Sequence, residues 1–226
     1  MKKILLIFIC IFSIGFVSSF GYMISHLFTP VQQDIVATVC IDPGHGGYDS
    51  GAIGNDGTYE KDIALEVSLR IGSMISKMDP SIQIIYTRQS DVISWPENES
   101  EDLKARVDIG QRADFYISIH CNSNESTDMS GYCFYIKETD TQSRRICQSI
   151  SDHLKKFHYS SNNGIESTNV QALYVVDQLD IPSILFEIGY ISNDNECKKM
   201  QSWLIQNIIA YSTSKAIVDQ IHKIYS

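Results

Sequence analysis

The chain has 226 residues, of which 43% are hydrophobic and 20% are charged. These proportions are typical of an ordinary globular protein and exclude a disordered one. The formal net charge of -9 argues against nucleic acid as the main partner, because binding to phosphates requires a basic face.

The first 28 residues differ in composition from the rest of the chain. Lys2 and Lys3 precede an uncharged apolar stretch, and the next formally charged residue is Asp34. A positive end followed by an apolar core is typical of an export signal. The stretch is also long enough to span a bilayer, which takes about 20 residues.

Cleavage of this segment is not favoured by its sequence. The small residues Ser18 and Ser19 form a poor cleavage site, and apolar residues continue beyond them. We therefore expect residues 1–28 to be a membrane anchor, with the two lysines inside and the following domain on the extracytoplasmic face. A secreted, cleaved form is the alternative. Residues 29–34 then form a linker and residues 35–226 a single domain.

The remaining sequence alternates between strand-like and helix-like patterns. Residues 35–41 form an apolar run that predicts a buried strand, and a glycine-rich turn carrying His45 follows. Glu60 begins a stretch with apolar residues at helical spacing as far as Met78. Further along, we predict strands over 82–87, 115–120, 132–136, 173–176 and 183–188, and helices over 101–112, 142–157 and from Trp203 to the end. This alternation predicts an α/β domain: a mostly parallel twisted sheet with helices on both faces.

Six cysteines in an exported protein raise the question of disulfides. Cys10 lies in the apolar N-terminal segment, and Cys40, Cys121 and Cys133 lie in strand-like runs, where a thiol acts as a small hydrophobic group. No pair has the CxxC spacing of a zinc site. We therefore expect free, buried thiols.

Four side chains suited to metal chemistry are predicted to lie at one edge of the sheet. His45 follows the first strand, His120 ends the third, and Glu187 ends the strand after Pro182, while Glu60 opens the first helix. The carboxyl ends of the strands form the ligand crevice in sheets of this kind. Two histidines, a glutamate and an open position are a common layout for hydrolytic zinc. Glu187 would then be a general base beside it.

Each residue also has an ordinary structural explanation. His45 could fill the turn, His120 could be a hydrogen-bonded core histidine, and Glu60 could be stabilised by the helix dipole. A carboxylate in the apolar run around Glu187 is costly to bury without a partner, so it requires either a partner or a function.

Five sequence blocks carry a family resemblance. They are Ile41-Asp42-Pro43-Gly44-His45-Gly46-Gly47, Glu60-Lys61-Asp62, Thr87-Arg88, Ser118-Ile119-His120-Cys121-Asn122 and Glu187-Ile188-Gly189-Tyr190-Ile191-Ser192-Asn193. In this order they resemble the zinc-dependent N-acetylmuramoyl-L-alanine amidases of the amidase-3 family. Within that family the single domain and the N-terminal hydrophobic segment look most like the CwlD-type amidases of spore-forming bacteria.

The resemblance implies specific roles for these residues. Zn²⁺ would be held by His45, Glu60 and His120, Glu187 would be the catalytic carboxylate, and Asn122 would lie at the edge of the substrate site. Arg88 could position a substrate carboxylate, although an ion pair with Asp91 or Asp49 is equally compatible with its position.

The implied activity is cleavage of the amide between N-acetylmuramic acid and the L-alanine of the peptidoglycan stem peptide. A CwlD-like build further implies a role in spore cortex modification and germination, in the space between forespore and mother cell. A protein activator or regulator is a possible partner. The alternatives are another zinc peptidoglycan hydrolase that cuts within the stem peptide, and a non-catalytic wall-binding protein.

Overall fold

The computed structural model of the protein describes residues 34–225. The predicted anchor, residues 1–28, lies outside the described residues, as does all of the predicted linker except Asp34. The residues from Ile35 onward form one compact unit. Between residues 34 and 225, no helix is both long enough and apolar enough to cross a membrane.

Six strands and six helices make up the described residues. In chain order they are β1 (Ala37–Pro43), α1 (Glu60–Met78), β2 (Ile82–Tyr86), α2 (Glu99–Gly110), β3 (Phe115–Asn122), β4 (Tyr132–Ile136), α3 (Thr141–Lys156), β5 (Asn162–Ser167), α4 (Tyr174–Asp177), β6 (Ser183–Tyr190), α5 (Asp194–Met200) and α6 (Trp203–Tyr225).

The strands form one sheet in the order β2-β1-β3-β6-β4-β5. The pairs β1–β2, β1–β3, β3–β6 and β4–β5 are parallel, and only β4–β6 is antiparallel among the described pairs. The predicted mostly parallel α/β sheet is therefore confirmed. Since β1, β3 and β6 are neighbours running in one direction, their carboxyl ends meet at the same edge.

Helices cover both faces of this sheet, as predicted. On one face, α1, α3 and α6 bury an apolar layer against it, with contributions such as Ile71, Ile150 and Ile217. On the other face, a smaller cluster around Tyr116 and Leu185 packs against α2 and α4. Strands buried on both faces form continuous apolar runs, which explains why β1 and β3 could be recognised from sequence.

One prediction about an individual element was wrong, and one element was missed. Residues 173–176 were expected to form a strand, but Tyr174–Asp177 is a short helix, α4, whose first turn is closed by the Asp177 carboxylate accepting from the backbone N–H of Leu173 (2.9 Å). In addition, the stretch Asn162–Ser167, for which no strand was predicted, forms the edge strand β5. Its polar sequence gives little strand signal because an edge strand is largely exposed.

The cysteines of the described region are all free and buried, as expected. They are Cys40, Cys121, Cys133, Cys147 and Cys197. Burial raises the pKa of the Cys133 thiol to about 11, with a smaller contribution from the charge of Glu187. These thiols therefore act as small apolar groups in the core.

Candidate metal centre

Three side chains converge at the carboxyl edge of the sheet. His45 lies on the turn after β1, Glu60 is the first residue of α1, and His120 is near the end of β3. The distances are 3.1 Å from His45 Nε2 to Glu60 Oε1, 3.0 Å from His120 Nδ1 to Glu60 Oε1, and 3.2 Å between the two histidine nitrogens. The three donor atoms thus form a nearly equilateral triangle.

The size of this triangle suits a tetrahedral metal. Zinc bonds to histidine nitrogen and carboxylate oxygen of ~2.0 Å at tetrahedral angles place neighbouring donors ~3.3 Å apart. The observed edges of 3.0 to 3.2 Å are close to that value. Two imidazoles and one carboxylate are also the donor types that hydrolytic zinc uses, so these residues fit zinc.

The Glu60 carboxylate is fixed by the backbone around it. Its Oε1 accepts from the N–H of Cys121 and its Oε2 from the N–H of Ala52, both at 2.9 Å. Burial alone would raise the pKa of Glu60, but the bonds and charges of His120 and His45 outweigh it and hold this pKa well below its usual range. Glu60 is therefore an anionic group in a fixed orientation.

The imidazole of His45 is oriented by a second carboxylate. Its Nδ1 lies 2.7 Å from Asp49 Oδ2, which selects the tautomer with the proton on Nδ1 and leaves Nε2 for a metal. Burial would lower the pKa of His45, but Glu60 and then Asp49 raise it to about 9. The two carboxylates therefore favour a positive charge on the His45 side chain, including a cation at its Nε2.

Glu187 lies beside this cluster on the neighbouring strand. Its register partner on β3 is His120, and its partner on β4 is Cys133. Its Oε2 is buried and has no hydrogen-bond partner among the described residues. Burial, followed by the charge of Glu60, raises the pKa of Glu187 to about 8, although His45 opposes the shift. An unpaired carboxyl group with such a pKa can exchange a proton near neutral pH.

The two residues predicted to bind substrate lie in different surroundings. Asn122 is at the end of β3, where it pairs in register with Tyr190 and its amide oxygen accepts from the N–H of Ser123. Arg88 is 4% exposed. It donates to the carbonyls of Pro43 and Gly44, among others, rather than facing the crevice.

The alternative ion pairs of Arg88 are not formed among the described residues. Asp91 pairs instead with Lys61 (2.8 Å), and Asp49 with His45. The contacts of Arg88 favour a role in holding the turn after β1. Its assignment to substrate stays a prediction.

Sequence reasoning missed a buried charge network beneath His45. Asp42 is 1% exposed and accepts from Arg106 (2.7 Å), Tyr116 (2.7 Å) and Ser118 (2.6 Å), and also from Thr87. A carboxylate following the apolar run of β1 was the available signal, because a buried charge requires partners.

A groove of about 610 Å³ adjoins the cluster. It is lined by His45 and His120 of the cluster, by the buried Asp42 and Arg106, and by the exposed Tyr48. A larger cavity of about 890 Å³, lined in part by Tyr132 and Tyr159, contains none of the four site residues. The smaller groove is therefore the one that can deliver a substrate to the cluster.

Comparison with known proteins gives one family. The model of the amidase-3 family, described as N-acetylmuramoyl-L-alanine amidase, matches residues 39–219. The germination-specific N-acetylmuramoyl-L-alanine amidase of Bacillus subtilis (strain 168) is 30% identical over 189 residues, which cover 80% of this chain and 78% of that protein. The predicted family resemblance is confirmed.

Two further relatives extend this comparison. The probable cell wall amidase LytH of Staphylococcus aureus is 31% identical over 190 residues, covering 83% of this chain and 58% of LytH. The structure of the CwlD amidase from Clostridioides difficile in complex with the GerS lipoprotein matches with a TM-score of 0.74 and 28% identity, over 83% of this chain and 99% of CwlD.

Proposed function

We propose that this chain, which belongs to the amidase-3 family of N-acetylmuramoyl-L-alanine amidases, cleaves stem peptides from peptidoglycan with a zinc ion held by His45, Glu60 and His120. The observation that carries the proposal is the triangle of donor atoms beside the unpartnered carboxyl oxygen of Glu187. In a purely structural cluster, the free-energy cost of burying that oxygen without a hydrogen bond would have no explanation.

Each residue has one task in the proposed reaction. The bound zinc ion would supply Lewis-acid polarisation of the scissile amide carbonyl. Glu187 accepts a proton from the attacking water, and the water oxygen adds to the lactyl carbonyl carbon of N-acetylmuramic acid. Glu187 then returns the proton to the amide nitrogen as the carbon–nitrogen bond breaks. The products are a free carboxyl group on muramic acid and a stem peptide with an L-alanine amino terminus.

The zinc requirement is tested by metal analysis of the purified full chain. We expect about one zinc ion per chain, loss of peptidoglycan cleavage after chelation, and recovery when zinc is restored. The variants His45→Ala and His120→Ala are expected to bind zinc far more weakly, since each removes one of three donors. Full cleavage by the metal-free protein would contradict the proposal.

The proposed biological setting is the spore cortex, where removal of stem peptides precedes formation of muramic lactam. Similarity to a germination-specific amidase supports this setting. Spores carrying the Glu187→Gln variant in place of the native chain are expected to have a cortex without muramic lactam and to germinate poorly. A cortex of normal lactam content would contradict the spore role without affecting the amidase assignment.

We further propose that the chain is exported, anchored by residues 1–28, and assisted by a protein partner. A structural neighbour is a CwlD amidase in complex with the GerS lipoprotein, which supports the existence of such a partner. The anchor is tested by fractionation: the full chain is expected in the membrane fraction and a chain lacking residues 1–28 is not. If the purified full chain is fully active alone on intact peptidoglycan, an activator is unnecessary.

A further inference from the structure

Two buried arginines bind three successive backbone carbonyls in the turn that carries His45. Arg88 donates from Nε to Pro43 O (3.1 Å) and from Nη2 to Gly44 O (2.7 Å). Arg106 donates from Nη1 to Pro43 O (2.9 Å) and from Nη2 to His45 O (2.6 Å). The two side chains are 4% and 3% exposed, respectively. Only Arg106 therefore holds the carbonyl of the histidine itself.

His45 has a backbone conformation that requires such support. Its φ is +59°, in the left-handed region that is unfavourable for any residue with a Cβ atom. Non-glycine residues remain in this region where surrounding contacts over-determine the backbone, and they concentrate at functional sites. This conformation places the imidazole against Glu60 and His120.

We infer that Arg106 is a positioning residue that holds His45 in its metal-binding conformation. The inference rests on the proposed zinc site. Arg106 is itself anchored on the opposite side, from Nη1 to Asp42 (2.7 Å) and from Nε to Asp102 (2.6 Å). The rigid guanidinium thus connects the strand, helix α2 and the His45 carbonyl at once.

A lysine cannot reproduce this arrangement. Its single ammonium group is a point charge on a flexible stem, whereas the planar guanidinium presents donors in a fixed fork. Arg106→Lys retains the positive charge between Asp42 and Asp102 but cannot also reach the carbonyl of His45. The variant therefore separates the charge of Arg106 from its contact with the metal-ligand turn.

The test compares Arg106→Lys with the wild-type full chain and with Arg70→Lys as a matched control. Arg70 is a partly buried arginine that links α1 to α6 through Gln206 and lies in no part of the site. The measurements are the zinc dissociation constant, by competition with a chelator, and the visible absorption spectrum of the cobalt-substituted protein. The melting temperature of the metal-free form reports the folding of each variant.

We expect Arg106→Lys to weaken zinc binding by about 10- to 100-fold, the range found when groups that orient metal ligands are removed. The cobalt spectrum should change because the ligand geometry changes, whereas Arg70→Lys should match the wild type in both measurements. A purely structural role would lower the melting temperature of the metal-free form and leave the zinc constant and the cobalt spectrum unchanged. That result would overturn the inference.

If Arg106→Lys does not fold, Asp102→Asn replaces it, because a weaker anchor at Nε loosens the guanidinium that holds the carbonyl of His45. For this variant, zinc binding at least several-fold weaker together with an altered cobalt spectrum supports the inference. A zinc dissociation constant and a cobalt spectrum equal to those of the wild type overturn it. If the wild-type chain binds zinc and cleaves peptidoglycan, and Arg106→Lys binds zinc equally well, only the inference about Arg106 is refuted. Wild-type chain that binds no zinc refutes the proposed metal centre as well.

Discussion

Two glutamates at the site have opposite protonation preferences, and the difference follows from their contacts. Glu60 is bound by two imidazoles and two backbone N–H groups, so its pKa lies well below the usual range. Glu187 is buried without such contacts and faces the charge of Glu60, so its pKa is raised to about 8. Neighbouring carboxylates whose pKa values are driven apart have different tasks. In the proposed mechanism, Glu60 binds the metal and Glu187 moves the proton.

Replacing Glu187 tests this division directly. We expect Glu187→Gln to lower kcat by about a thousandfold, as for loss of a general acid–base group, while the bound zinc is retained. The matched control is Glu166→Gln, at an exposed glutamate on β5 of the same sheet. The cleavage rate and the zinc content are measured for the wild type, Glu187→Gln and Glu166→Gln. A Glu187→Gln variant with more than a tenth of wild-type activity would contradict the assigned role.

A glycine comparison tests how closely the ligand side chains are packed. Gly51 has a φ of +62°, and an added Cβ would lie 2.6 Å from His45 Cδ2 and 2.7 Å from Glu60 Oε2. Gly57 also has a positive φ, +87°, but has open space around it. Both changes to alanine should destabilise the fold by about 1 kcal/mol through backbone strain.

Only Gly51→Ala should also weaken zinc binding, because only its Cβ would displace His45 and Glu60, two of the proposed ligands. Chelator competition and thermal unfolding of both variants separate the two effects. Equal zinc affinity of Gly51→Ala and Gly57→Ala would show that the ligand side chains are not confined as described.

At the scale of elements, the sequence predicted most helices and strands because their burial is regular. Helix α1 was predicted with its observed bounds, since Ile63, Val67 and Ile71 recur on one buried face. Strand β1 was displaced by two residues, because apolar residues precede it and Asp42 and Pro43 end it. The run of four residues that forms α4 was mistaken for a strand, because so short an apolar run does not distinguish the two structures.

The convergence of the candidate metal-binding side chains could be predicted for a similar reason, whereas the charge network beneath them could not. His45, Glu60 and His120 follow or begin recognisable elements, so parallel topology alone brings them to one edge. Arg106 lies 64 residues after Asp42, within a helix whose sequence gives no sign of the partner. Pairing between distant buried charges depends on the three-dimensional packing of α2 against β1, which periodicity does not specify.

Helix caps provide a test at this scale. Asp140 caps α3 by accepting from the N–H of Ser143 (2.9 Å), and its other oxygen accepts from the N–H of Ser183 at the start of β6 (3.1 Å). Asn98 caps α2 with a single bond to Glu101 N. We expect Asp140→Ala to lower the free energy of unfolding by about 2 kcal/mol and Asn98→Ala by about 1 kcal/mol.

Urea unfolding of the two variants measures the difference. Both changes remove a cap, but only Asp140→Ala also leaves the N–H of Ser183 without its partner. An equal loss of unfolding free energy in the two variants would show that the bond from Ser183 contributes nothing to stability.

At the scale of the whole molecule, the fold combines an acidic overall composition with a buried ion network. The formal net charge is -9, yet Asp42 and Arg106 are almost fully buried beneath the site. Burial opposes ionisation of Asp42, but Arg106 and the hydroxyls of Ser118, Thr87 and Tyr116 hold its pKa well below the usual range. The same network therefore contacts the core of the domain and the backbone of His45, a proposed metal ligand.

The stabilisation from Asp42 has a definite pH dependence. Because its folded-state pKa is depressed below the unfolded value of about 3.9, the contribution is present in full above that pH and is lost as the pH falls towards the folded value. We expect Asp42→Asn to lower the free energy of unfolding by about 3 kcal/mol at pH 7, since it breaks a buried ion pair.

The difference in free energy of unfolding between the wild type and Asp42→Asn should become smaller below about pH 4. In that range the unfolded wild type gains a proton that the native state does not. Urea unfolding of both proteins between pH 7 and pH 3 measures this difference. A difference that stays constant across this range would contradict the assigned charge state of Asp42.

The central claim, that the His45–Glu60–His120 cluster and Glu187 form a zinc amidase site, is tested most directly by one digestion. The purified full chain with zinc is incubated with intact peptidoglycan in ¹⁸O-labelled water, and the products are analysed by mass spectrometry. The account predicts one ¹⁸O atom in the carboxyl group of muramic acid and unlabelled stem peptides that begin with L-alanine. Label in a peptide carboxyl group, or released peptides that do not begin with L-alanine, would contradict it.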